Sequence, residues 1–191
     1  MVKKINAILS LAIIALLIVH ISYEIYAYLT FYYNPVLTKV IAYAVLVSGC
    51  LHILLSCYGV FVLHDKGNGL KYPALNVRTV IQRISAAVMA VLLVLHLNTF
   101  TALKNTSQTN RVLFFAVLGL QLLFYAAALL HTGVSVSNAF ITLGLIGSSK
   151  GRKKLDAAVW ILCVILFAAA AFVVTNTQIA MFLKAGTGGA A

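Results

Sequence analysis

Four histidines stand inside long apolar stretches of this 191-residue chain, at His20, His52, His96 and His131. An imidazole in hydrocarbon costs free energy unless it is hydrogen-bonded, paired or bound to something, so each of these positions suggests function. Imidazole nitrogens bind haem iron and metal ions, which is the chemistry that this set favours. The fifth histidine, His64, stands beside Asp65 and Lys66 and is expected to be an interfacial residue, or a spare ligand in place of His52.

The composition places the chain in a membrane. Hydrophobic residues make up 63% of it and charged residues 9%, with a mean hydropathy of +1.05. Ordinary water-soluble domains are far less apolar. The apolar stretches are of helix length rather than short and alternating, so the sequence predicts an all-α, integral membrane five-helix transmembrane bundle. The net charge of +11 does not indicate nucleic-acid binding, because the basic residues form short clusters between apolar stretches.

One transmembrane domain is predicted over residues 1–185, with a flexible tail at 186–191. Its helices are expected at about 5–29, 36–63, 78–102, 112–145 and 155–183. Five helices put the two termini on opposite sides of the membrane. With the N-terminus in the cytoplasm, ten of the fourteen basic residues fall on the inner side. The positive-inside rule therefore favours a cytoplasmic N-terminus and an external C-terminus.

Counting residues from the helix ends gives each histidine a depth, since an α-helix rises about 1.5 Å per residue. His20 and His96 fall in the outer half of the membrane, and His52 and His131 fall in the inner half. Two imidazoles facing each other at one depth are what a six-coordinate haem b requires, so two such pairs predict two stacked haems. The alternative for any single histidine is a hydrogen bond to the next helix. No CxxCH motif occurs, so covalent c-type haem is not expected.

Two motifs carry a resemblance to a known family. Residues 82–85 read QRIS, with His96 thirteen residues after Arg83, and SVSNAFITLG follows His131 at 135–144. Over its first four helices the chain resembles the membrane anchor of succinate dehydrogenases and fumarate reductases, of the single-chain, five-helix, dihaem cytochrome b type. His52 also stands in a matching place, upstream of the loop that leads to QRIS.

The resemblance implies a ligand set, partners and a location. It pairs His20 with His96 at the distal haem b and His52 with His131 at the proximal one, both held non-covalently. It further implies an iron-sulfur subunit and a flavoprotein subunit on the cytoplasmic face of the cell inner membrane. The substrate of the anchor would be a quinone, expected to be menaquinone. The chain itself is expected to be non-catalytic alone, because nothing in it could bind flavin or a cluster.

Two charged residues extend the predicted site. Arg83 stands near the inner start of the third stretch, where it could pair with a haem propionate or snorkel to the interface. Arg78 and Lys71 are weaker candidates for the same role, or for docking an iron-sulfur subunit. Glu24, the only glutamate in the chain, stands one helical turn after His20 and on the same face. It could take up a proton from a quinol, or it could be a water-facing carboxylate at a helix end.

Two other functions stay open from the residues. One is the haem b anchor of another respiratory oxidoreductase, such as a nitrate reductase, formate dehydrogenase or hydrogenase, although those types usually concentrate their histidines on fewer helices. The other is a small metal-handling transporter. A transporter would favour acidic partners and broken helices, whereas the first four predicted helices contain only Glu24 and no mid-helix proline.

Overall fold

The computed structural model describes residues 1–63, 77–106 and 110–187. These residues form five long α-helices: α1 (Val2–Thr30), α2 (Pro35–Cys57, continued by a π-helical turn at Tyr58–Val62), α3 (Val77–Thr106), α4 (Arg111–Thr142) and α5 (Ser149–Thr187). Each helix is long and apolar enough to cross a membrane, and no strand occurs in the described ranges. The predicted all-α five-helix membrane bundle is confirmed, and the chain is a multi-pass membrane protein.

Three of the sequence predictions fall on residues outside these ranges. His64 and Lys71 lie in the segment between residues 63 and 77. The last four residues of the predicted tail, 188–191, also lie outside, whereas α5 continues through Thr187.

Asparagine side chains begin two of the helices. The Oδ1 atom of Asn34 accepts hydrogen bonds from the backbone N–H groups of Val36 and Leu37, both at 3.1 Å. The side chain of Asn110 accepts from the backbone N–H of Leu113 at 2.9 Å. The first N–H groups of a helix have no partner within the helix, so these caps fix where α2 and α4 start.

A glycine ends α4 slightly earlier than the hydropathy pattern suggests. Gly144 has φ +76°, a left-handed conformation that costs residues with a Cβ more than it costs glycine. The backbone N–H of Leu145 then donates to the carbonyl of Phe140 at 3.0 Å, which is a Schellman-type ending. The next helix begins at Ser149 rather than near 155, because the basic residues of SSKGRKK continue the helix beyond its apolar part.

Contacts between helices define the two ends of the bundle. At one end the Asn6 side chain of α1 donates to the Ser56 hydroxyl of α2 at 3.1 Å. At the same end Arg78 of α3 forms an ion pair with Asp156 of α5 at 2.8 Å. This end, where α1, α3 and α5 begin and α2 and α4 finish, is called the N-terminal end of the bundle. The helices therefore alternate in direction.

An apolar cluster closes the opposite, C-terminal end of the bundle. Leu103 of α3 and Phe114 and Leu118 of α4 are fully or almost fully buried there. Phe114 stacks on Phe182 of α5 with ring centroids 4.5 Å apart. The cluster fixes the end of α3 against the start of α4.

The helices do not share contacts equally. The α3–α4 contact is the most extensive in the bundle, and α1 packs against α2, α4 and α5. By contrast, α2 contacts α1 and hardly touches α3 or α4, and none of its residues is fully buried. Helix α2 therefore packs mainly against α1.

Gly133 allows α4 and α5 to approach closely near the middle of the bundle. It is buried, and a Cβ at this position would lie 2.8 Å from two carbons of the Trp160 indole. That distance is well inside van der Waals contact, so any side chain here would force the two helices apart. Gly133 is also only two residues from His131, which links this packing to the candidate site.

Replacing Gly133 with alanine should destabilise the protein. Overpacking of this kind costs about 1–3 kcal/mol, and we expect a lower midpoint of thermal unfolding in detergent. Gly119→Ala is the matched control in the same helix, because a Cβ there meets nothing within 4 Å. Adding Trp160→Leu to Gly133→Ala should restore part of the loss. Equal midpoints for the two alanine variants would contradict this packing.

Candidate functional site

The structure brings His20 of α1 and His96 of α3 together. Their side chains are close enough to interact electrostatically, and both are partly buried. The imidazole of His96 stacks on the Phe124 ring, with centroids 4.6 Å apart and planes 16° from parallel. Phe100 and Tyr125 contact the same imidazole edge-on. These aromatic contacts restrict the orientation of the His96 ring.

The buried amide of Gln121, on α4, faces the His96 ring. Its Nε2 atom lies 2.8 Å and its Oε1 atom 3.1 Å from Nδ1 of His96. Gln121 is only 1% exposed, so its amide has no access to water. The phenol of Tyr125, one turn along α4, also interacts with the Gln121 side chain. A polar group thus reaches His96 from the neighbouring helix.

The structure brings His52 of α2 and His131 of α4 together in the same way. These two side chains interact electrostatically, and both are partly buried. Nδ1 of His131 lies 3.1 Å from the backbone carbonyl oxygen of Gln82 and 3.4 Å from the Ser85 hydroxyl, both on α3. A carbonyl oxygen can only accept a hydrogen bond, so Nδ1 carries the proton in this contact. The Nε2 lone pair of His131 is then available to a metal.

The other member of each pair lacks such a contact. Nδ1 of His20 and Nδ1 of His52 are buried, and neither finds a hydrogen-bond partner among the described residues. An unsatisfied buried polar atom costs about 1–3 kcal/mol. The two α1–α2 histidines therefore carry a cost that the protein fold itself does not offset.

The donor set fits haem iron better than a bare metal ion. Among the described residues no three His, Cys, Asp or Glu side chains cluster as a metal-ion site would require. Haem iron takes four nitrogens from its macrocycle and needs only two from the protein. Two separate pairs of imidazoles supply that number twice.

Glu24 lies one turn beyond His20 on α1, among aromatic residues. Its Oε1 atom is buried and has no hydrogen-bond partner within the described ranges. The carboxyl interacts electrostatically with the phenols of Tyr28 and Tyr125. The structure therefore places one carboxyl oxygen inside the bundle rather than in water, one helical turn from His20 toward the C-terminal end.

The two arginines of α3 differ in their surroundings. Arg83 is partly exposed and directly follows Gln82, whose carbonyl contacts His131, so it lies at the level of the second histidine pair.

The guanidinium of Arg78, by contrast, is engaged on several sides. It donates to both carboxyl oxygens of Asp156 on α5, at 2.9 and 2.8 Å. It also donates to two groups of α4, the Val134 carbonyl at 2.8 Å and the Ser137 hydroxyl. Arg78 joins three helices at the N-terminal end, so the docking role considered for it is less suited to its position.

Sequence reasoning missed the polar partners of the histidines. Gln121 is the single polar residue in the run AVLGLQLLF, and that isolation was a signal that could have identified it. The Gln82 contact uses a backbone carbonyl, which no side-chain pattern records. Asp156 was overlooked as the partner of Arg78, because it stands in a basic cluster 78 residues further along the chain.

No family model matches the chain, and neither the curated proteins nor the solved structures provide a match. The likeness to dihaem cytochrome b anchors therefore depends on the quoted sequence motifs and on the placement of the four histidines.

Replacing Asp156 with asparagine should weaken the N-terminal end of the bundle. Hydrogen bonds to charged groups contribute about 1.5–3 kcal/mol each, so we expect a lower midpoint of thermal unfolding in detergent. Arg78→Lys should also lower the midpoint, because an ammonium does not reproduce the bidentate contact. Lys153→Ala, at an exposed position in the same part of α5, is the control and should change little. If Asp156→Asn unfolds at the same temperature as this control, the proposed importance of the Arg78 contacts is wrong.

Proposed function

We propose that this protein is the dihaem cytochrome b membrane anchor of a succinate:quinone oxidoreductase, a succinate dehydrogenase or fumarate reductase. It would pass electrons between a membrane quinone and an iron-sulfur subunit. The observation that carries the proposal is the proximity of His20 to His96 and of His52 to His131, at two levels of one bundle. One histidine on each of four helices also favours this type of anchor over those of other respiratory oxidoreductases.

Each histidine has a role in this proposal. His20 and His96 would hold the haem nearer the C-terminal end, and His52 and His131 the haem nearer the N-terminal end. Haem b, when bound, supplies reversible one-electron transfer. The chain supplies imidazole nitrogens in fixed orientations and apolar helices that exclude water. Arg83, at the level of the second pair, is suited to pair with a propionate there.

The N-terminal end of the bundle is suited to receive soluble partners. It carries a cluster of exposed basic residues, namely Lys3, Lys4, Lys150, Lys153 and Lys154. The positive-inside rule would put this end in the cytoplasm, at the inner membrane. A basic surface attracts acidic proteins electrostatically. The iron-sulfur subunit and the flavoprotein would therefore bind at this end.

The C-terminal end is suited to a quinol. Oxidation of a quinol to a quinone, with menaquinone as the expected substrate, releases two electrons and two protons. The carboxylate of Glu24 can accept one of these protons, since its buried Oε1 has no partner in the described part of the chain. Tyr28 and Tyr125, which lie near enough to interact electrostatically with the carboxyl, can orient the quinol oxygens through their hydroxyl groups.

The histidine pairing makes a specific prediction about single substitutions. His20→Ala and His96→Ala should each remove the low-spin signal of one and the same haem, because each deletes one of its two axial ligands. His52→Ala and His131→Ala should each remove the other. Electron paramagnetic resonance of the oxidised full-length protein in membranes separates the two signals.

His64→Ala is the control for this series and should leave both signals intact. Loss of the same signal in His20→Ala and His131→Ala would refute the pairing. An effect of His64→Ala equal to that of His52→Ala would assign the fifth histidine as a ligand instead.

Glu24→Gln should abolish quinol oxidation while both haems stay bound. The amide keeps the size of the carboxyl but cannot take up a proton, and loss of such a group typically lowers rates by a factor of about 100 or more. Quinol-dependent reduction of fumarate by the assembled complex measures the rate, and a reduced-minus-oxidised spectrum measures the haems. Tyr32→Phe, at an exposed position near the end of α1, is the control. Unchanged turnover in Glu24→Gln would eliminate Glu24 as the proton acceptor.

A further inference from the structure

The four candidate ligands fall into two classes by the surroundings of Nδ1. His96 on α3 is contacted by a group of α4, and His131 on α4 is contacted by a group of α3. His20 and His52 have no such partner among the residues that the structure describes. The α3–α4 pair therefore orients one ligand at each level, by reciprocal hydrogen bonds across a single helix contact.

The two oriented ligands are not held in the same way. The partner of His131 is a backbone carbonyl, which can only accept and whose place in the helix is fixed. The partner of His96 is a side-chain amide, which presents an acceptor oxygen or, after a half-turn, a donor nitrogen. Both atoms lie within hydrogen-bonding distance of Nδ1, at 3.1 and 2.8 Å.

The orientation of the Gln121 amide decides what the His96 ring can do. If the amide nitrogen donates to Nδ1, the neutral ring must carry its proton on Nε2, which then cannot bind a metal. If Nδ1–H donates to Oε1, the Nε2 lone pair is free to bind. In the second arrangement the amide N–H₂ can donate to the phenol oxygen of Tyr125, which interacts with the same side chain. This arrangement leaves both polar ends of the amide satisfied within the bundle.

We propose that Gln121 is a positioning residue that accepts the Nδ1–H of His96 and thereby presents Nε2 to the haem iron at the C-terminal level. The inference rests on the proposed function for the presence of that haem. Three observations support it: Gln121 is almost completely buried, its amide reaches His96 from the facing helix, and Phe124 stacks on the same imidazole. Gln121 does not touch the iron, so it acts through His96.

A positioning role of this kind has a redox consequence. A hydrogen bond from Nδ1–H to an acceptor raises the basicity of the ligating nitrogen, which favours the oxidised iron. A stronger acceptor should therefore lower the midpoint potential of this haem, and loss of the acceptor should raise it. The haem held by His52 and His131 should not respond, because its oriented ligand depends on the Gln82 carbonyl.

The test compares three variants of the full-length protein in membranes. Gln121→Glu keeps the size of the side chain and supplies a stronger acceptor, so it should retain both haems and lower one midpoint potential. Gln121→Leu removes the acceptor and should raise that potential, with haem binding at this level weakened by a factor of about 10–100. Gln178→Leu is the matched control, a buried glutamine that donates to Tyr28 instead of His96. It should shift neither potential.

Two further results separate this inference from the proposed function. Wild-type protein without haem would overturn the proposed function and, with it, the role of Gln121 at iron. If both haems bind but neither potential differs between wild type and Gln121→Glu, the inference alone is overturned. Equal shifts of both potentials in Gln121→Glu would overturn it as well. If Gln121→Leu does not accumulate, the direction of the shift in Gln121→Glu decides the matter, because an unchanged or raised potential contradicts the proposal.

Discussion

The antiparallel contact between α3 and α4 is the constraint on which the rest of the structure depends. Polar groups cross it at three levels: Arg78 reaches the Val134 carbonyl, the Gln82 carbonyl meets His131, and Gln121 meets His96. An apolar cluster then closes its C-terminal end. Interhelical hydrogen bonds resist sliding and rotation in an apolar medium, where lipid tails supply no comparable partner. The register of this helix pair therefore sets the depth of two of the four histidines.

The other two histidines, His20 and His52, lie on helices outside this pair. Helix α2 contacts mainly α1, and Nδ1 is buried and unpaired in both His20 and His52 within the described residues. One histidine of each pair is therefore held by a hydrogen bond at Nδ1, whereas Nδ1 of the other is not. Under the proposed function, haem binding would break no Nδ1 hydrogen bond that the described residues make with His20 or His52. The proposed quinol region, with Glu24 near Tyr28, lies next to the pair at the C-terminal level.

Much of this architecture could be predicted because it depends on lengths. Apolar stretches of about 20 residues predict membrane helices, and a constant rise per residue gives the depths that pair His20 with His96. The start of α5 at Ser149 was missed because hydropathy reports only the apolar part of a helix, and basic side chains continue it. The partners Gln121 and Asp156 could not be predicted, since they depend on how each helix is rotated about its axis. Rotation is set by packing between helices, which a single sequence does not specify.

If two imidazole pairs hold two haems, the haem content of the purified wild-type chain must show them. Pyridine haemochrome absorbance measured against protein concentration gives the stoichiometry, and a reduced-minus-oxidised spectrum identifies the haem type. We expect two b-type haems per chain. One haem would mean that one histidine pair is structural. A chain without haem would contradict electron transfer altogether and leave four partly buried histidines in need of another ligand.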